Sequence, residues 1–504
     1  MRKILLFGAG KSATVLIDYL LKNALTENWQ LTLVDANLDL ARSKLGNAVG
    51  GKAVSFDINS ANERRTYIKE SDIVISLLPP TLHILVARDC IHYKKNLLTA
   101  SYVDEQLKQL REEIEKNDIL FLCEMGLDPG IDHMSAKKMI DEIEEEDGVI
   151  NSFMSHCGGL VAPESDNNPW RYKISWNPKN VVLAGKAGAI YKQNGDVKEM
   201  SYPELFVTKR FVDVPGLEPL CWYPNRDSLS YTLIYGLEDC PTFIRTTLRH
   251  PDFIYGWKNI IELNLTDEEF LYDTDGKSLM AFFQEHMERM GFGNWLHLKM
   301  QEQFESSKKI LQDLVNLVEM EEKAEEAGTE PLDEFMVVNE SGSLQQVDLE
   351  EIKTNAAATV AFKMHEAKLT LKQLFYLGMD DDKTMINKGK CTAADVLQFA
   401  LEKKLPLLKD EKDMVVMVHE IEYRSENTKY KETSTLLVKG EDDQHTAMAK
   451  TVGLPLAIAT KLILNGVINT KGLKIPVTSD IYLPVLEELE ENGIVFSHIR
   501  TKVE

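Results

Sequence analysis

Residues 3–13 read KILLFGAGKSA, a short apolar run that leads directly into a glycine-rich turn. Apolar side chains then recur at helical spacing, so the segment predicts a strand, a tight turn and a helix. In such a unit Gly8 permits the turn, Gly10 lets a pyrophosphate approach the backbone, and Ala13 lets the helix pack on the strand. The segment therefore indicates a dinucleotide-binding unit. A turn with a purely structural role is the alternative.

The residues after the turn extend this interpretation. Lys11 and Ser12 begin the predicted helix, whose N-terminus receives the phosphates. Further strand-like runs follow at Lys52 to Phe56, Ile73 to Leu78, Asn96 to Thr99 and Ile119 to Cys123. Ligands of open parallel sheets bind beyond the carboxyl ends of the strands, so the predicted cofactor contacts also include Asp57, Ser76, Leu77 and Leu127.

The second strand-like run, Leu31 to Val34, ends in Asp35, about twenty-five residues after the glycines. A carboxylate there accepts hydrogen bonds from the ribose hydroxyls of NAD and repels the 2′-phosphate of NADP. Ala36 supplies no cation. NAD is therefore the predicted cofactor, with NADP as the alternative. The structural alternatives are that Asp35 caps the next helix and that Asp57 caps the turn at Asn59.

Composition limits the classes of function. The 504 residues carry a formal charge of -23, which disfavours nucleic acid and anionic membranes as partners. The six cysteines form no C-x-x-C pair, so we expect free thiols, no metal site and a cytoplasmic location. The apolar run Val452 to Leu464 is interrupted by Pro455 and Lys461, and we expect neither an export signal nor a membrane span.

Two stretches in the middle of the chain are dense in glycine, proline and ionisable residues. They are Glu124 to His133, after the predicted sixth strand, and Cys157 to Ser165. Such residues pack poorly in a core, whereas loops at the carboxyl ends of strands bind ligands. A site beside the nicotinamide is therefore favoured over plain loops.

Four segments resemble motifs of the glutamate-forming saccharopine dehydrogenases, also called saccharopine reductases. These are Thr99 to Val103, Glu124 to His133, His156 to Asn168 and Tyr223 to Ser228. The resemblance covers roughly the first 260 residues, fades, and returns near the end of the chain at Thr446 to Gly466.

The resemblance implies an α/β architecture in three parts. A Rossmann-type parallel sheet forms a nucleotide-binding domain at 1–130, completed by about 441–504. A mixed α/β substrate-binding and dimerisation domain covers 131–260 and about 390–440, and a mainly helical domain is inserted at 261–389. A homodimer is implied as well.

The resemblance also implies a set of site residues. Those for the substrate are Ser101, Tyr102, Asp128, Arg226, Arg245, Thr247 and Arg249, and Trp176 approaches the cofactor. The chemistry agrees independently, because saccharopine carries three carboxylates and guanidinium groups bind carboxylates in bidentate fashion. The alternatives are surface arginines paired with acids and, for Trp176, a core aromatic.

The implied reaction is NAD-dependent oxidative cleavage of L-saccharopine to L-glutamate and 2-aminoadipate 6-semialdehyde in lysine metabolism, or its reversal. Candidate proton-transfer residues are Asp128, Tyr102, Cys157 and His133, although His133 could pack on a helix and Cys157 could be a buried apolar group. Two other functions stay open: a dehydrogenase of another carboxylated imine adduct, such as carboxynorspermidine, and a non-enzymatic dinucleotide-binding protein.

In the second half of the chain, the pattern predicts helices from Asp267 to Glu326 and a loop from Gly328 to Val347. A capped helix is predicted at Thr392 to Leu397, and paired strands at Met414 to Tyr423 and Glu432 to Lys439.

Overall fold

The structure is a computed structural model that describes residues 1–207, 210–326, 334–338 and 344–503. The chain forms two compact units. The first combines Met1–Pro251 with Leu405–Glu504, and the second is Asp252–Lys404. The predicted insertion at 261–389 falls inside the second unit, which begins before residue 261 and ends after residue 389.

The first unit begins with alternating strands and helices. Its strands are almost continuously apolar, because both faces of a parallel sheet are covered by helices. In chain order the elements are β1 (Arg2–Phe7), α1 (Thr14–Asn23), β2 (Trp29–Val34), α2 (Leu38–Leu45), β3 (Gly51–Val54), α3 (Ala61–Glu70), β4 (Ile73–Ser76), α4 (His83–Tyr93), β5 (Asn96–Thr99), α5 (Glu105–Gln109), α6 (Arg111–Lys116), β6 (Leu120–Leu122) and α7 (Ile131–Glu145).

These six strands form a parallel sheet in the order β3-β2-β1-β4-β5-β6. A seventh parallel strand, Gly472–Lys474, comes from the C-terminal part of the chain and pairs with β6. The direction of winding reverses between β1 and β4, and that point opens the crevice in which parallel sheets bind their ligands. The α/β fold class is confirmed.

The next part of the chain supplies most strands of a mixed sheet, together with short helices. In chain order its elements are β7 (Val149–Val161), α8 (Pro178–Val182), β8 (Ala189–Gln193), β9 (Asp196–Met200), α9 (Tyr202–Leu205), β10 (Phe211–Val212), β11 (Leu220–Pro224), β12 (Arg226–Asp227), α10 (Thr232–Tyr235), β13 (Thr242–Arg249) and α11 (Pro251–Glu262). Strand β13 runs parallel to β7 and antiparallel to β11.

The second unit is mainly helical. After most of α11 it contains β14 (Leu271–Asp273), α12 (Leu279–Arg289), α13 (Trp295–Glu326), β15 (Glu334–Val338), β16 (Leu344–Asp348), α14 (Leu349–Tyr376), β17 (Lys390–Thr392) and α15 (Ala393–Lys404). The capped helix predicted at Thr392 is confirmed, since Thr392 and Asp395 exchange hydrogen bonds at its start.

The loop predicted from Gly328 to Val347 is wrong in part. Strands β15 and β16 pair antiparallel within it, while 328–333 and 339–343 lie outside the described residues. The glycine and proline content of this stretch suggested a loop, but the segments EFMVV and LQQVD contain the apolar and β-branched residues that favour strands.

The chain then returns to the first unit with β18 (Asp413–Ser425), β19 (Thr428–Lys439), α16 (Ala447–Leu464), β20 (Gly472–Lys474), α17 (Ser479–Glu491) and β21 (Phe496–Val503). The predicted pairing of β18 with β19 is confirmed. The mixed sheet has the order β10-β11-β13-β7-β18-β19-β21, with β8, β9 and β12 beside it. Since β21 joins this sheet, the region 441–504 contributes a strand to each sheet and not to the nucleotide-binding sheet alone.

Helix α16 is a core element of the first unit. By length and apolar composition it is the one helix in the described ranges that could cross a membrane, but 72% of it is buried inside the protein. It packs against α1 and the glycine-rich turn through Gly453. A Cβ atom at Gly453 would lie 2.9 Å from the backbone nitrogen of Leu16 and 3.3 Å from the carbonyl oxygen of Ser12.

We expect Gly453→Ala to destabilise the protein by roughly 1–3 kcal/mol, because the new methyl group meets backbone atoms that cannot move aside. Urea unfolding measures this free energy. Gly293→Ala is the control, since a Cβ atom there meets nothing within 4 Å. Equal stability of the two variants would contradict the close packing of α16 on the turn.

Candidate functional site

The glycine-rich turn has the geometry that a dinucleotide requires. Gly8 has a φ of 101°, and a Cβ atom there would lie 2.9 Å from the carbonyl oxygen of Leu77, so β1 and the end of β4 approach closely. A Cβ atom at Gly10 would meet nothing within 4 Å. Gly10 therefore faces open space, as a residue beside a bound pyrophosphate should. The helix begins with one 3-10 turn, Lys11–Ala13, before α1.

Asp35 lies at the end of β2 and contacts this turn. One carboxylate oxygen accepts the Ala9 backbone N–H at 2.8 Å, and the other accepts the Asn37 N–H at 2.9 Å. The N-cap of α2 is Asn37, whose side chain accepts the Leu40 N–H, so the capping alternative for Asp35 is wrong. Within the described residues Asp35 forms no ion pair, and its charge faces the cofactor site unneutralised.

The other predicted cofactor contacts differ in their surroundings. Asp57 is exposed and bonds the backbone N–H of Asn59 at 2.9 Å, which is the turn geometry considered from the sequence. Lys11 donates to the carbonyl oxygen of Ile174 at 3.0 Å, so the segment carrying Trp176 lies beside the glycine-rich turn. Leu127 is buried in the same core cluster as the turn.

A buried histidine that the sequence analysis missed links a predicted cofactor contact to a predicted substrate contact. His83 at the start of α4 bonds Ser76 Oγ through Nδ1 and Ser101 Oγ through Nε2, both at 2.8 Å. Burial lowers the pKa of His83 to about 4, so the ring is neutral at physiological pH. The neutral ring acts as a fixed bridge between the ends of β4 and β5.

The predicted substrate arginines lie on the mixed sheet. Side chains alternate along a strand, so Arg245, Thr247 and Arg249 of β13 share one face. In the sheet register Thr247 lies opposite Cys157 of β7 on one side and opposite Tyr223 of β11 on the other. The sequence spacing thus brings these residues to one surface.

Arg245 is the centre of this surface. Its Nη2 donates to Asp128 Oδ1 at 2.7 Å and to Asp132 Oδ2 at 2.8 Å, and it lies 3.3 Å from the Tyr102 hydroxyl. That hydroxyl donates to Asp128 Oδ1 at 2.9 Å. The arginine is therefore paired with acids, as one alternative held, but the pair is buried at the ligand cavity and not on the surface.

The two carboxylates differ in proton affinity. Burial raises the pKa of Asp128, and the nearby charge of Asp132 raises it further. Burial would also raise the pKa of Asp132, but His133, Arg245 and the Gly130 N–H together lower it. Asp132 therefore carries the negative charge that neutralises Arg245, and Asp128 is the acid that takes up and releases a proton most readily.

Tyr102 and Cys157, the other catalytic candidates, hold their protons tightly. Burial raises the pKa of the Tyr102 hydroxyl well above its usual value, and burial does the same for the Cys157 thiol. Neither group can serve as a base at neutral pH. Tyr102 is a hydrogen-bond donor, and Cys157 is a small buried wall residue.

A second buried network supports the first. His133 Nε2 bonds Glu124 Oε2 at 2.8 Å, and Nδ1 bonds the Tyr235 hydroxyl at 2.6 Å. The Tyr231 hydroxyl donates to the same Glu124 oxygen at 3.1 Å, and its ring stacks on His133 at 5.0 Å. Glu124 also accepts the Val103 N–H, so it ties the loop of Tyr102 to α7.

A cavity of about 330 Å³ opens on this surface. Tyr102, Tyr231, Arg226 and Arg245 line it, together with the acids Glu199 and Asp227. Arg226 is exposed, with its guanidinium 5.2 Å from the centre of the Tyr102 ring. Arg249 does not line the cavity; it is buried further along the same strand face, 5.4 Å from the centre of the Tyr172 ring.

The architecture and the site together define a class of protein. A parallel sheet with a glycine-rich turn lies beside a mixed sheet that presents arginines, carboxylates and tyrosines to a cavity. This is the construction of a dinucleotide-dependent dehydrogenase with a separate substrate-binding sheet.

Comparison with known families agrees with this class. Residues 126–494 match the model of the saccharopine dehydrogenase C-terminal domain, and residues 4–122 match that of the saccharopine dehydrogenase NADP binding domain. The first match covers more than half of the chain. The chain belongs to the saccharopine dehydrogenase family.

Individual relatives extend over the whole chain. The L-glutamate-forming, NADP(+) saccharopine dehydrogenase of Saccharomyces cerevisiae is 30% identical over 99% of both chains, and that of Schizosaccharomyces pombe is 32% identical over 98% of both. The alpha-aminoadipic semialdehyde synthase of Arabidopsis thaliana is 32% identical over 97% of this chain, which spans 44% of that protein's length. The solved structure of the apo yeast enzyme covers both chains completely, with a TM-score of 0.75 and 28% identity.

The neutral state of His83 predicts a pH effect on stability. Its pKa in the folded protein lies below the unfolded value, so folding favours the neutral ring, and this contribution is present above pH 6.5 and lost as the pH falls towards 4. We expect the free energy of unfolding of the wild type to fall across this window relative to that of His83→Gln. Urea titrations at several pH values measure the difference, and a constant difference would contradict the buried neutral bridge.

Proposed function

We propose that this protein oxidises L-saccharopine, with water and a nicotinamide dinucleotide, to L-glutamate and 2-aminoadipate 6-semialdehyde, or catalyses the reverse reduction. The observation that carries the proposal is the cavity at which Arg226, Arg245, Tyr102 and Tyr231 meet. Cationic and hydroxyl groups of this kind bind a substrate with several carboxylates. The full-length similarity to L-glutamate-forming enzymes supports the same assignment.

Arg226 and Arg245 have different roles in substrate binding. Arg226 is exposed at the cavity and forms no ion pair within the described residues, so its guanidinium is available for a substrate carboxylate. Arg245 already neutralises a buried acid and also lines the cavity. Glu199 and Asp227 supply negative charge on the same cavity wall, which suits the substrate's ammonium group.

Proton transfer falls to Asp128. Hydride removal from the carbon bonded to the secondary amine, with loss of the N–H proton, leaves an imine, and hydration and cleavage of that imine move further protons. Asp128 has a raised pKa, and 15% of its side chain is exposed. It does not itself line the cavity but bonds Tyr102 and Arg245, which do, so it lies one hydrogen bond behind a ligand bound there. Tyr102 donates a hydrogen bond that holds the Asp128 carboxylate in place.

The residues of the nucleotide-binding sheet fit a nicotinamide dinucleotide, which would supply the hydride acceptor. The turn at Gly8 and Gly10 would hold the pyrophosphate, and Asp35 would accept from the ribose hydroxyls. The matched family model and the fungal relatives carry NADP in their descriptions. The uncompensated Asp35 carboxylate and the neighbouring Ala36 nevertheless support NAD as the preferred form here.

Turnover tests the function. We expect saccharopine to reduce NAD at alkaline pH, which the nicotinamide absorbance measures. We also expect glutamate to be released, which an independent assay detects. Turnover with carboxynorspermidine and not with saccharopine would replace the substrate. Dinucleotide binding without turnover of either compound would favour a non-enzymatic role.

Cofactor choice is tested by Asp35→Ser combined with Ala36→Arg. The change removes a carboxylate that repels the 2′-phosphate and adds a guanidinium that attracts it, so the ratio of kcat/KM for NADP to that for NAD should rise at least about tenfold. Asp72→Ser serves as the control, because Asp72 precedes β4 at the opposite edge of the parallel sheet and accepts the Lys3 backbone N–H. An unchanged ratio in the double variant would contradict the role of Asp35.

The homodimer and the cytoplasmic location stay predictions. The family resemblance supports the dimer, and the six buried free thiols are in keeping with a reducing compartment.

A further inference from the structure

Two carboxylates share one guanidinium nitrogen at the site, and they do so unequally. Arg245 Nη2 bonds Asp128 at 2.7 Å and Asp132 at 2.8 Å. The side chain of Asp132 is 2% exposed, whereas that of Asp128 is 15% exposed. One cation can neutralise only one of the two buried acids. The second acid therefore either keeps its proton or is ionised at a cost in free energy.

Asp132 has the contacts that fix the charge on it. Its Oδ1 accepts the Gly130 backbone N–H at 2.6 Å, and its Oδ2 lies 3.9 Å from His133 Nδ1. This bond holds Gly130 in the turn that carries Asp128, where the backbone packs so closely on Gly126 that a Cβ atom at Gly130 would overlap it. Asp132 thus holds both the arginine and the turn.

We propose that Asp132 is a positioning residue of the reaction, which clamps Arg245 and sets the pH at which Asp128 exchanges its proton with the substrate. The inference rests on the proposed function for the identity of the substrate. Neither acid lines the cavity, but Asp132 is the more buried of the two, so it acts through Arg245, which lines the cavity, and through the charge it places beside Asp128.

The groups that face Asp128 come from several elements. Tyr102 follows β5, Asp132 and His133 begin α7, Arg245 belongs to β13, and Cys157 belongs to β7. Tyr102 and Cys157 are neutral at working pH, as shown by their raised pKa values. The pKa of Asp128 is raised by burial first and by the charge of Asp132 second, and it is lowered by Arg245 and to a smaller extent by His133.

The first test is the pH profile of kcat/KM for saccharopine in Asp132→Asn. The substitution removes one negative charge and leaves Arg245 to Asp128 alone, so the acid limb should move to lower pH by about one unit or more. Asp141→Asn is the matched control, an acid on the same helix that pairs with Lys137 and Tyr482 away from the cavity. Its acid limb should stay in place. A uniform loss of activity in Asp132→Asn without a shift would reduce Asp132 to a structural residue and overturn the proposal.

The second test needs no activity, and so separates this inference from the proposed function. With its raised pKa, Asp128 binds its proton more tightly in the folded state, so wild-type stability falls as the pH rises from the ordinary Asp range through the raised value. The stability of Asp128→Asn relative to the wild type should therefore increase with pH. In an Asp132→Asn background that increase should shrink or vanish. An increase of the same size in both backgrounds would overturn the coupling, whether or not the protein turns over saccharopine.

Discussion

The guanidinium of Arg245 holds one positive charge between Asp128 and Asp132 in the interior of the first unit. It joins strand β13 of the mixed sheet to the turn after β6 of the parallel sheet. Removing one partner of a buried ion pair commonly costs roughly 3–5 kcal/mol, so the surrounding chain must keep the three groups together. The Ser228 hydroxyl bonds the Arg245 backbone N–H, and the Tyr231 ring lies 4.5 Å from its guanidinium.

The need to hold Arg245 and its two acids together also explains the hydrogen-bonded residues behind the cavity. Glu124 holds the Tyr102 loop through Val103, and with His133 it holds Tyr231. In the parallel sheet His83 bonds both Ser76 and Ser101, so it connects the ends of β4 and β5. Buried networks in which each polar group has a partner are rigid, and rigidity is what positions a hydride donor against its acceptor.

The sequence predicted the nucleotide-binding sheet well because its signals are local. The turn at residues 3–13, the apolar strands and Asp35 each depend on residues close in the chain. The arginines proposed to bind substrate came from the family motifs, and the structure places two of them, Arg245 and Arg249, on one face of β13. The hairpin of β15 and β16 was missed because turn residues dominate that stretch.

The partners of the site residues could not be predicted in the same way. His83, Asp132 and Tyr231 gain their meaning from contacts between segments far apart in the sequence, and a histidine in an apolar helix or a tyrosine in a short helical turn gives no local signal. The density of ionisable residues from Glu124 to His133 was the one indication. Which of the two acids neutralises Arg245 could be decided only from the distances and the burial that the structure shows.

A crystal structure of the protein with saccharopine and NAD tests the central claim most directly. We expect a substrate carboxylate bonded to the Arg226 guanidinium in the cavity, the secondary amine facing Asp128, and Asp132 still bonded to Arg245. Saccharopine bound away from this cavity, or an Arg245 that leaves Asp132 to bind the substrate alone, would contradict it.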